Sequence, residues 1–382
     1  MHVAVIGAGA AGLLFSLLLK RRFPASRVEV FEQNPEGATY GFGVVFSDGA
    51  LAFLERDQPE LSRIIEAAMQ RWPIQRIVHR GERVDVDGNG FSAIGRLALQ
   101  EILQRLCRGA DVRLCYGRSV SSLEELADAD LVVGADGSNS LVREALATQF
   151  LPGIELLTNR FAWYGTAQPF DCLTLTFRKS EHGAFVAHHY RHSPSMSTFV
   201  VECSETTWRR AGLDRMSDAE SRACCEGVFA ADLGGHALVS NRSVWRQFPL
   251  IRNERWTARR SPSGHAVLLG DALRTVHFSI GSGTRLAFED AIALERAFAE
   301  CGDDVPRALE AFERARRPVV EKLLAAANAS SYWYEHFPER MDQPPWQLAY
   351  DYMTRSGRMT EDRLRRVAPK FMAGVDAERS RS

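Results

Sequence analysis

The sequence predicts an α/β fold: a Rossmann-like dinucleotide-binding domain, interrupted by an inserted antiparallel-sheet domain and followed by C-terminal helices. Three observations carry this. The glycine turn Gly7-Ala8-Gly9-Ala10-Ala11-Gly12 sits between apolar runs at 3–6 and 13–19. A second apolar run at 28–31 ends in Glu32, twenty residues after Gly12. From about residue 155 the texture changes to period two, as in Leu173-Thr174-Leu175-Thr176-Phe177, which predicts half-exposed antiparallel strands.

The first element is therefore strand, glycine turn, helix, strand, acid, the full context a dinucleotide fingerprint requires. Gly7 allows the tight turn. Gly9 leaves room for a pyrophosphate to approach the backbone, and Gly12 lets the helix pack close to the sheet. The pyrophosphate then meets the helix N-terminus, where unpaired N–H groups and the helix dipole favour negative charge. Gly7, Gly9, Ala11 and Gly12 are assigned to the dinucleotide, and Glu32 to a ribose diol.

Residues 36–60 hold a glycine-rich segment, Gly41-Phe42-Gly43-Val44-Val45-Phe46-Ser47-Asp48, and then a polar helix. Short strands are predicted over 83–94, around a Gly88-Asn89-Gly90 turn. An amphipathic helix over 95–108 begins near Gly95-Arg96, with Leu97, Leu99, Ile102, Leu103 and Leu106 on one side. A buried strand at 130–135 runs into the polar turn Asp136-Gly137-Ser138-Asn139-Ser140, and Arg143 follows. Within 155–255, strands are predicted at 184–190 and 198–202. The first domain resumes with the apolar run ending in Gly270-Asp271, and Gly281-Ser282-Gly283 precedes a helix beginning near Thr284. The expected division is 1–154 with 256–300 for dinucleotide binding, 155–255 for the substrate-binding sheet, and 301–382 for a helical region. Asp271 is placed to bind a ribityl hydroxyl, and Gly281, Gly283 and Thr284 form a second helix N-terminus.

At 382 residues the chain is long enough for two joined domains. Its net charge of −1 argues against nucleic acid as the main partner. The uncharged run 3–19 is too short and too glycine-rich for a membrane helix, and a strand starting at His2 or Val3 leaves no room for a cleavable targeting peptide. The seven cysteines are scattered with no CxxC pair, which predicts reduced thiols in a cytoplasmic protein and excludes a disulfide reductase. No metal-ligand cluster, serine-histidine arrangement or paired-carboxylate motif stands out. The arginine-rich tail (Arg355, Arg358, Arg363, Arg365, Arg366, Arg379, Arg381) reads as a solvated helical face, with phosphate binding as the alternative.

Three loops in order (the glycine fingerprint, Asp136-Gly137, Gly270-Asp271) resemble those of the single-component, class A flavin-dependent aromatic hydroxylases, the p-hydroxybenzoate hydroxylase fold. The resemblance covers about residues 1–330. Arg96 matches that family's arginine at the start of the helix before the DG strand. The segments Gly41–Asp48, His277-Phe278-Ser279-Ile280-Gly281-Ser282-Gly283-Thr284 and Ala187-His188-His189-Tyr190 are similar to those of the branch that acts on salicylyl-CoA and anthraniloyl-CoA. Trp163-Tyr164-Gly165-Thr166 and Met196-Ser197-Thr198-Phe199 are shared with the tryptophan-derivative hydroxylase of violacein biosynthesis. Two departures are visible: Arg274 stands where relatives keep a histidine, and Phe278 stands where the wider family has a proline.

The resemblance implies FAD as cofactor, with Arg96, Asp136, Gly137 and Asp271 among its contacts. It implies NADH or NADPH as a transient reductant and O2 as co-substrate, with hydroxylation through a C4a-hydroperoxyflavin. The hard chemistry then belongs to the flavin, and the protein positions the ring and excludes water. The implied substrate is an aromatic acyl-CoA thioester, such as salicylyl-CoA hydroxylated at position 5 or anthraniloyl-CoA. The alternative is an indole or another free aromatic intermediate. A flavin-dependent halogenase is disfavoured, because Trp245-Arg246-Gln247-Phe248-Pro249 only faintly echoes the halogenase WxWxIP segment. His277 is the candidate catalytic residue, orienting or deprotonating a substrate hydroxyl or amino group, against a role in packing alone. Val45, Trp163, His188, Tyr190, His277 and Phe278 are the candidate substrate contacts. His188 and Tyr190 share one strand face, and either roof the substrate or hydrogen-bond within the sheet. A monomer or homodimer, without nucleic acid or membrane partners, is expected.

Overall fold

Long apolar strands need cover on both faces, and the first sheet receives it. A computed structural model describes residues 1–262 and 264–381. Its six-stranded sheet runs in the order Thr257–Arg259, His265–Leu268, Leu131–Gly134, His2–Ile6, Arg27–Glu32, Arg113–Tyr116. The neighbours pair in parallel except the edge strand Thr257–Arg259. The helix Ala10–Arg22 is buried over residues 11–19, packed between the sheet and the helices Arg96–Gly109 and Gly283–Cys301. A helix apolar all round belongs in a core, which explains the run at 13–19.

The second sheet has seven strands, in the order Leu238–Ser240, Arg160–Thr166, Ser197–Cys203, Gly183–Arg191, Leu173–Ser180, Gln75–His79, Glu82–Val86. It is not made from residues 155–255 alone: its last two strands come from far upstream, and Leu173–Ser180 pairs with Gln75–His79 in parallel. The expectation that 173–177 is half-exposed is corrected, because all five residues are buried. Leu173, Leu175 and Phe177 pack against the C-terminal helices. On the other face Thr176 Oγ1 lies 2.9 Å from His189 Nε2. The segment Gly43–Ser47, read from sequence only as glycine-rich, forms a strand that pairs with Phe91–Gly95 in a small three-stranded sheet.

The helix Val305–Glu335, with Pro318 inside it, joins the two cores. Its first half (Leu309, Phe312, Val320) packs on the dinucleotide sheet, and Trp333 and Tyr334 pack under the second sheet. The helices Pro345–Thr354, Glu361–Val367 and Pro369–Arg379 extend that second core. The tail is therefore not one solvated face. Arg365 and Arg379 are tied to Glu361 and Asp376, and Arg355 donates to the carbonyls of Ser279 and Tyr352. The cysteines of the described chain are free thiols, and among the described residues no helix is long and apolar enough to cross a membrane.

Candidate active site

A cavity of about 740 Å3 opens where the two sheets and the C-terminal helices meet. One end is the glycine turn. Gly7 has φ +103°, and a Cβ there would stand 2.3 Å from the Ala135 carbonyl oxygen. At Gly12 a Cβ would stand 2.1 Å from the Gly7 carbonyl oxygen. These two glycines serve the protein's own packing. Gly9 is different: its absent Cβ faces open space, as do those of Gly137 and Gly283.

Two helix N-termini meet this end of the cavity, at Gly9-Ala10-Ala11 and at Gly283-Thr284. Neither has a side-chain cap, so their first N–H groups remain available to an anion. Asp271 opens into the cavity and is accessible from it. Burial pushes its carboxyl up from the ordinary value, opposed by the Arg96 guanidinium. Arg96 begins its helix at Gly95 and lies 5.3 Å from the Trp163 ring centroid. A cradle of open glycines, two uncapped helix ends, a carboxylate and an arginine fits a dinucleotide carrying a polar ribityl chain. Arg143 ties the loops together, donating to the carbonyls of Ser138 and Ala272.

Besides Gly7 and Gly12, two further residues assigned to the dinucleotide stand off the cavity. Glu32 accepts from the N–H of Ala8 at 3.0 Å and of Asn34 at 2.9 Å, so it braces the glycine turn. Asp136 accepts from the Val142 N–H at 3.3 Å, and its Oδ1 is buried without a partner.

The other end of the cavity is an aromatic chamber. Pleating puts Trp163, Val200, His188 and Leu175 in one cross-strand row facing it. Tyr190 lines it too and donates to the Gly43 carbonyl at 3.0 Å, holding the Gly43–Ser47 strand against the sheet. Val45 is on the wall, 3.4 Å from where a Gly281 Cβ would be. Phe278 is the hub, with ring centroids 5.0 Å from Phe161, 5.4 Å from His188 and 6.0 Å from Phe248. The His188 ring stacks on Tyr334 at 5.1 Å, and its Nε2 is buried without a partner.

His277 requires a correction. It does not line the cavity: its buried ring packs behind the wall, 4.2 Å from Phe278, 5.0 Å from Phe248 and 5.6 Å from Tyr334. Its neighbour Phe278 takes the cavity side, and Nδ1 of His277 accepts from the Ser279 N–H at 3.4 Å. Burial, then Arg355, lowers His277 to about 3. Its Nε2 lies 4.0 Å from Glu202, a carboxyl that burial pushes up to about 8. Both groups are neutral near pH 7.

Residues 116–327 match a family described as FAD binding domain. The chain belongs to this family. It is a flavin-dependent monooxygenase, because relatives covering nearly its whole length carry that activity. Salicyloyl-CoA 5-hydroxylase of a Streptomyces species is 42% identical, over 93% of this chain and 70% of that one. Protodeoxyviolaceinate monooxygenase of Chromobacterium violaceum is 37% identical, over 89% and 91%. The 3-hydroxy-4-methyl-anthranilyl-[aryl-carrier protein] 5-monooxygenase of Streptosporangium sibiricum is 33% identical, over 94% and 95%. The fold matches 2-methyl-3-hydroxypyridine-5-carboxylic acid oxygenase, with a TM-score of 0.65 at 17% identity over 96% of both chains. It also matches P. aeruginosa PqsL in complex with 2-aminobenzoylacetate, with a TM-score of 0.63 at 20% identity over 89% and 98%.

The cavity wall of the monooxygenase also includes residues that sequence reasoning missed. Phe161 was findable, two positions before Trp163 and so on the same strand face. Phe248 lay unread in the Trp245–Pro249 segment. Tyr352, Met353 and Arg355 come from the tail, and no local pattern marks them as cavity wall.

Proposed function

We propose that this monooxygenase hydroxylates an aromatic ring presented as a thioester, with a salicyloyl or anthraniloyl group as the aromatic part. The observation that carries the reading is the continuity of one cavity, from the FAD cradle through the aromatic chamber to an open mouth at the C-terminal helices. A chamber for a small free ring needs no such passage. Similarity to two relatives named for a CoA thioester and for a carrier-protein substrate supports the same reading.

When bound, FAD takes electrons from NADH or NADPH and delivers one oxygen atom of O2 to the ring. The open glycines Gly9, Gly137 and Gly283 hold the cofactor with the two helix ends, Arg96 and Asp271. Phe161, Trp163, Phe248 and Phe278 fix the plane of the substrate ring and exclude water, which would otherwise waste the reductant as H2O2. The unpartnered Nε2 of His188 bonds the ring hydroxyl or amino group and sets which carbon faces the oxygen. Burial keeps this imidazole neutral, so an unprotonated ring nitrogen can accept a hydrogen bond from the substrate. His277 positions Phe278 from behind rather than touching substrate. The enzyme acts in the cytoplasm as a monomer or homodimer.

A second reading is hydroxylation of an indole-derived free aromatic, favoured by the 37% identity to protodeoxyviolaceinate monooxygenase. Substrate-stimulated NAD(P)H oxidation, with mass spectrometry of the products, separates the two. Salicyloyl-CoA or anthraniloyl-CoA should stimulate oxidation and gain one oxygen. Hydroxylation of free salicylate or indoles, with the thioesters inert, would overturn the thioester reading.

A further inference from the structure

Beyond the aromatic chamber the cavity runs outward between the Gly88-Asn89-Gly90 turn and the C-terminal helices, past Met353 and Met359. Fixed contacts frame this mouth. Asp87 accepts from the Phe371 N–H at 2.9 Å. The turn lies so close to the helix Glu361–Val367 that a Cβ on Gly88 would stand 1.8 Å from the Val367 carbonyl oxygen. Gln75 accepts from Asn89 at 2.6 Å and donates to the Tyr352 hydroxyl at 3.3 Å.

On the rim stand Arg358 and Arg363, both exposed and both on the cavity wall. Arg366 lies one helical turn beyond Arg363, on the same side of its helix. Among the described residues none of these three guanidiniums has an ion-pair or hydrogen-bond partner. The nearby carboxylates Glu361 and Asp376 are engaged by Arg365 and Arg379 instead. Asp362, between the rim arginines, pairs with none of them. The tail thus pairs Arg365, Arg379 and Arg381 with carboxylates and leaves Arg358, Arg363 and Arg366 without one, the first two on the wall of the reaction cavity.

We propose that Arg358 and Arg363, flanked by Arg366, hold the phosphoryl groups of a phosphopantetheine-bearing substrate whose acyl end reaches the aromatic chamber. The proposal rests on the thioester reading above and adds where its carrier is gripped. Guanidinium forks match phosphate oxygens in a bidentate way. The methionine-lined passage suits the arm between phosphate and thioester. A free aromatic ring offers these arginines nothing to bind. The phosphate belongs either to CoA, with its 3′-phospho-ADP, or to the single phosphodiester of a carrier protein's arm.

The test uses the full-length FAD-loaded enzyme. Arg358→Ala/Arg363→Ala is compared with wild type and with Arg314→Ala, a surface arginine on the helix Val305–Glu335. The aromatic acyl group is offered on CoA, on 4′-phosphopantetheine and on N-acetylcysteamine, which has no phosphate. Binding of adenosine 3′,5′-bisphosphate is followed separately by calorimetry. In the double variant KM for the CoA thioester should rise on the order of ten- to a hundred-fold with kcat little changed. KM for the N-acetylcysteamine thioester should not move. The wild-type KM for the CoA thioester should climb with salt. An effect on the phosphopantetheine thioester equal to that on CoA assigns the grip to the shared arm phosphate. An effect confined to CoA, with weakened bisphosphate binding, assigns it to the 3′-phospho-ADP. Thioester turnover with an unchanged KM in the double variant overturns this proposal alone. Wild-type enzyme that turns over free aromatics and no thioester overturns the thioester reading as well.

Discussion

Arg274 and Asp290 form a bidentate pair, at 2.7 and 2.9 Å, inside the core behind the Gly270-Asp271 loop. Asp290 is fully buried and also accepts from the Gly270 N–H at 3.3 Å and from Arg316 Nε at 2.9 Å. One carboxylate thus fastens the loop that carries Asp271 to the helices Gly283–Cys301 and Val305–Glu335. Arg274 reaches inward to a counter-charge, not toward the cavity. Asp290→Asn should cost about 3–5 kcal/mol, because it leaves the buried Arg274 guanidinium without its charge partner and Arg316 with Glu289 alone. The protein should unfold at lower denaturant and retain less FAD. An unchanged denaturation midpoint would show that the pair does not hold the loop.

The glycine turn offers a prediction with opposite readouts at two neighbouring positions. Gly7→Ala forces a side chain into left-handed φ and against the Ala135 carbonyl, so it should lower thermal stability by several degrees, corresponding to about 1–3 kcal/mol. At Gly9 the backbone is extended and the space beyond it is open. Gly9→Val should therefore leave the melting midpoint of cofactor-free protein in place while abolishing the yellow flavin absorbance after reconstitution.

The two positions also show what was legible in the sequence. A glycine forced by geometry leaves a mark in the chain itself, so the three loops of the cradle could be read from their spacing. Strand alternation likewise put His188 and Tyr190 on a common face, and they line the chamber together. Depth was not legible. His277 and Phe278 are adjacent, and nothing local says which faces the cavity; the Phe161 and Phe248 rings, brought from elsewhere, decide it. The cover over Leu173–Ser180 comes from helices far along the chain, so its period-two pattern read falsely as exposure. The strands Gln75–His79 and Glu82–Val86 joined the second sheet by long-range pairing that no local motif encodes.

If the chamber works as described, His188 and His277 differ in kind. His188→Phe keeps an aromatic ring stacked on Tyr334 but removes Nε2 from the wall. NAD(P)H oxidation should persist while hydroxylated product per reductant falls at least about tenfold, the lower range for losing a positioned proton-transfer group, and H2O2 takes up the difference. His277→Asn should change this coupling far less. Product counted by mass spectrometry, with peroxide assayed in parallel, checks both. Coupling lost in the His277 variant and kept in the His188 variant would reverse the two roles.

The Glu202–His277 contact predicts a stability profile with a defined sign. In the fold Glu202 keeps its proton up to about pH 8, whereas an unfolded glutamate releases it near about 4.3. Between these values the native state holds the extra proton, so this carboxyl makes stability fall as pH rises. His277 behaves in the opposite direction. It stays neutral in the fold down to about pH 3, while an unfolded histidine binds a proton below about 6.5, so stability falls as pH drops through that window. His189, also lowered to about 3 by burial, adds to the acid-side slope. Glu202→Gln should therefore raise the melting midpoint at pH 8 relative to wild type and change it little at pH 4. His277→Asn should flatten the acid side in part, with His189 still titrating. A Glu202→Gln enzyme whose stability relative to wild type is the same at pH 8 as at pH 4 would mean the fold does not hold this carboxyl protonated.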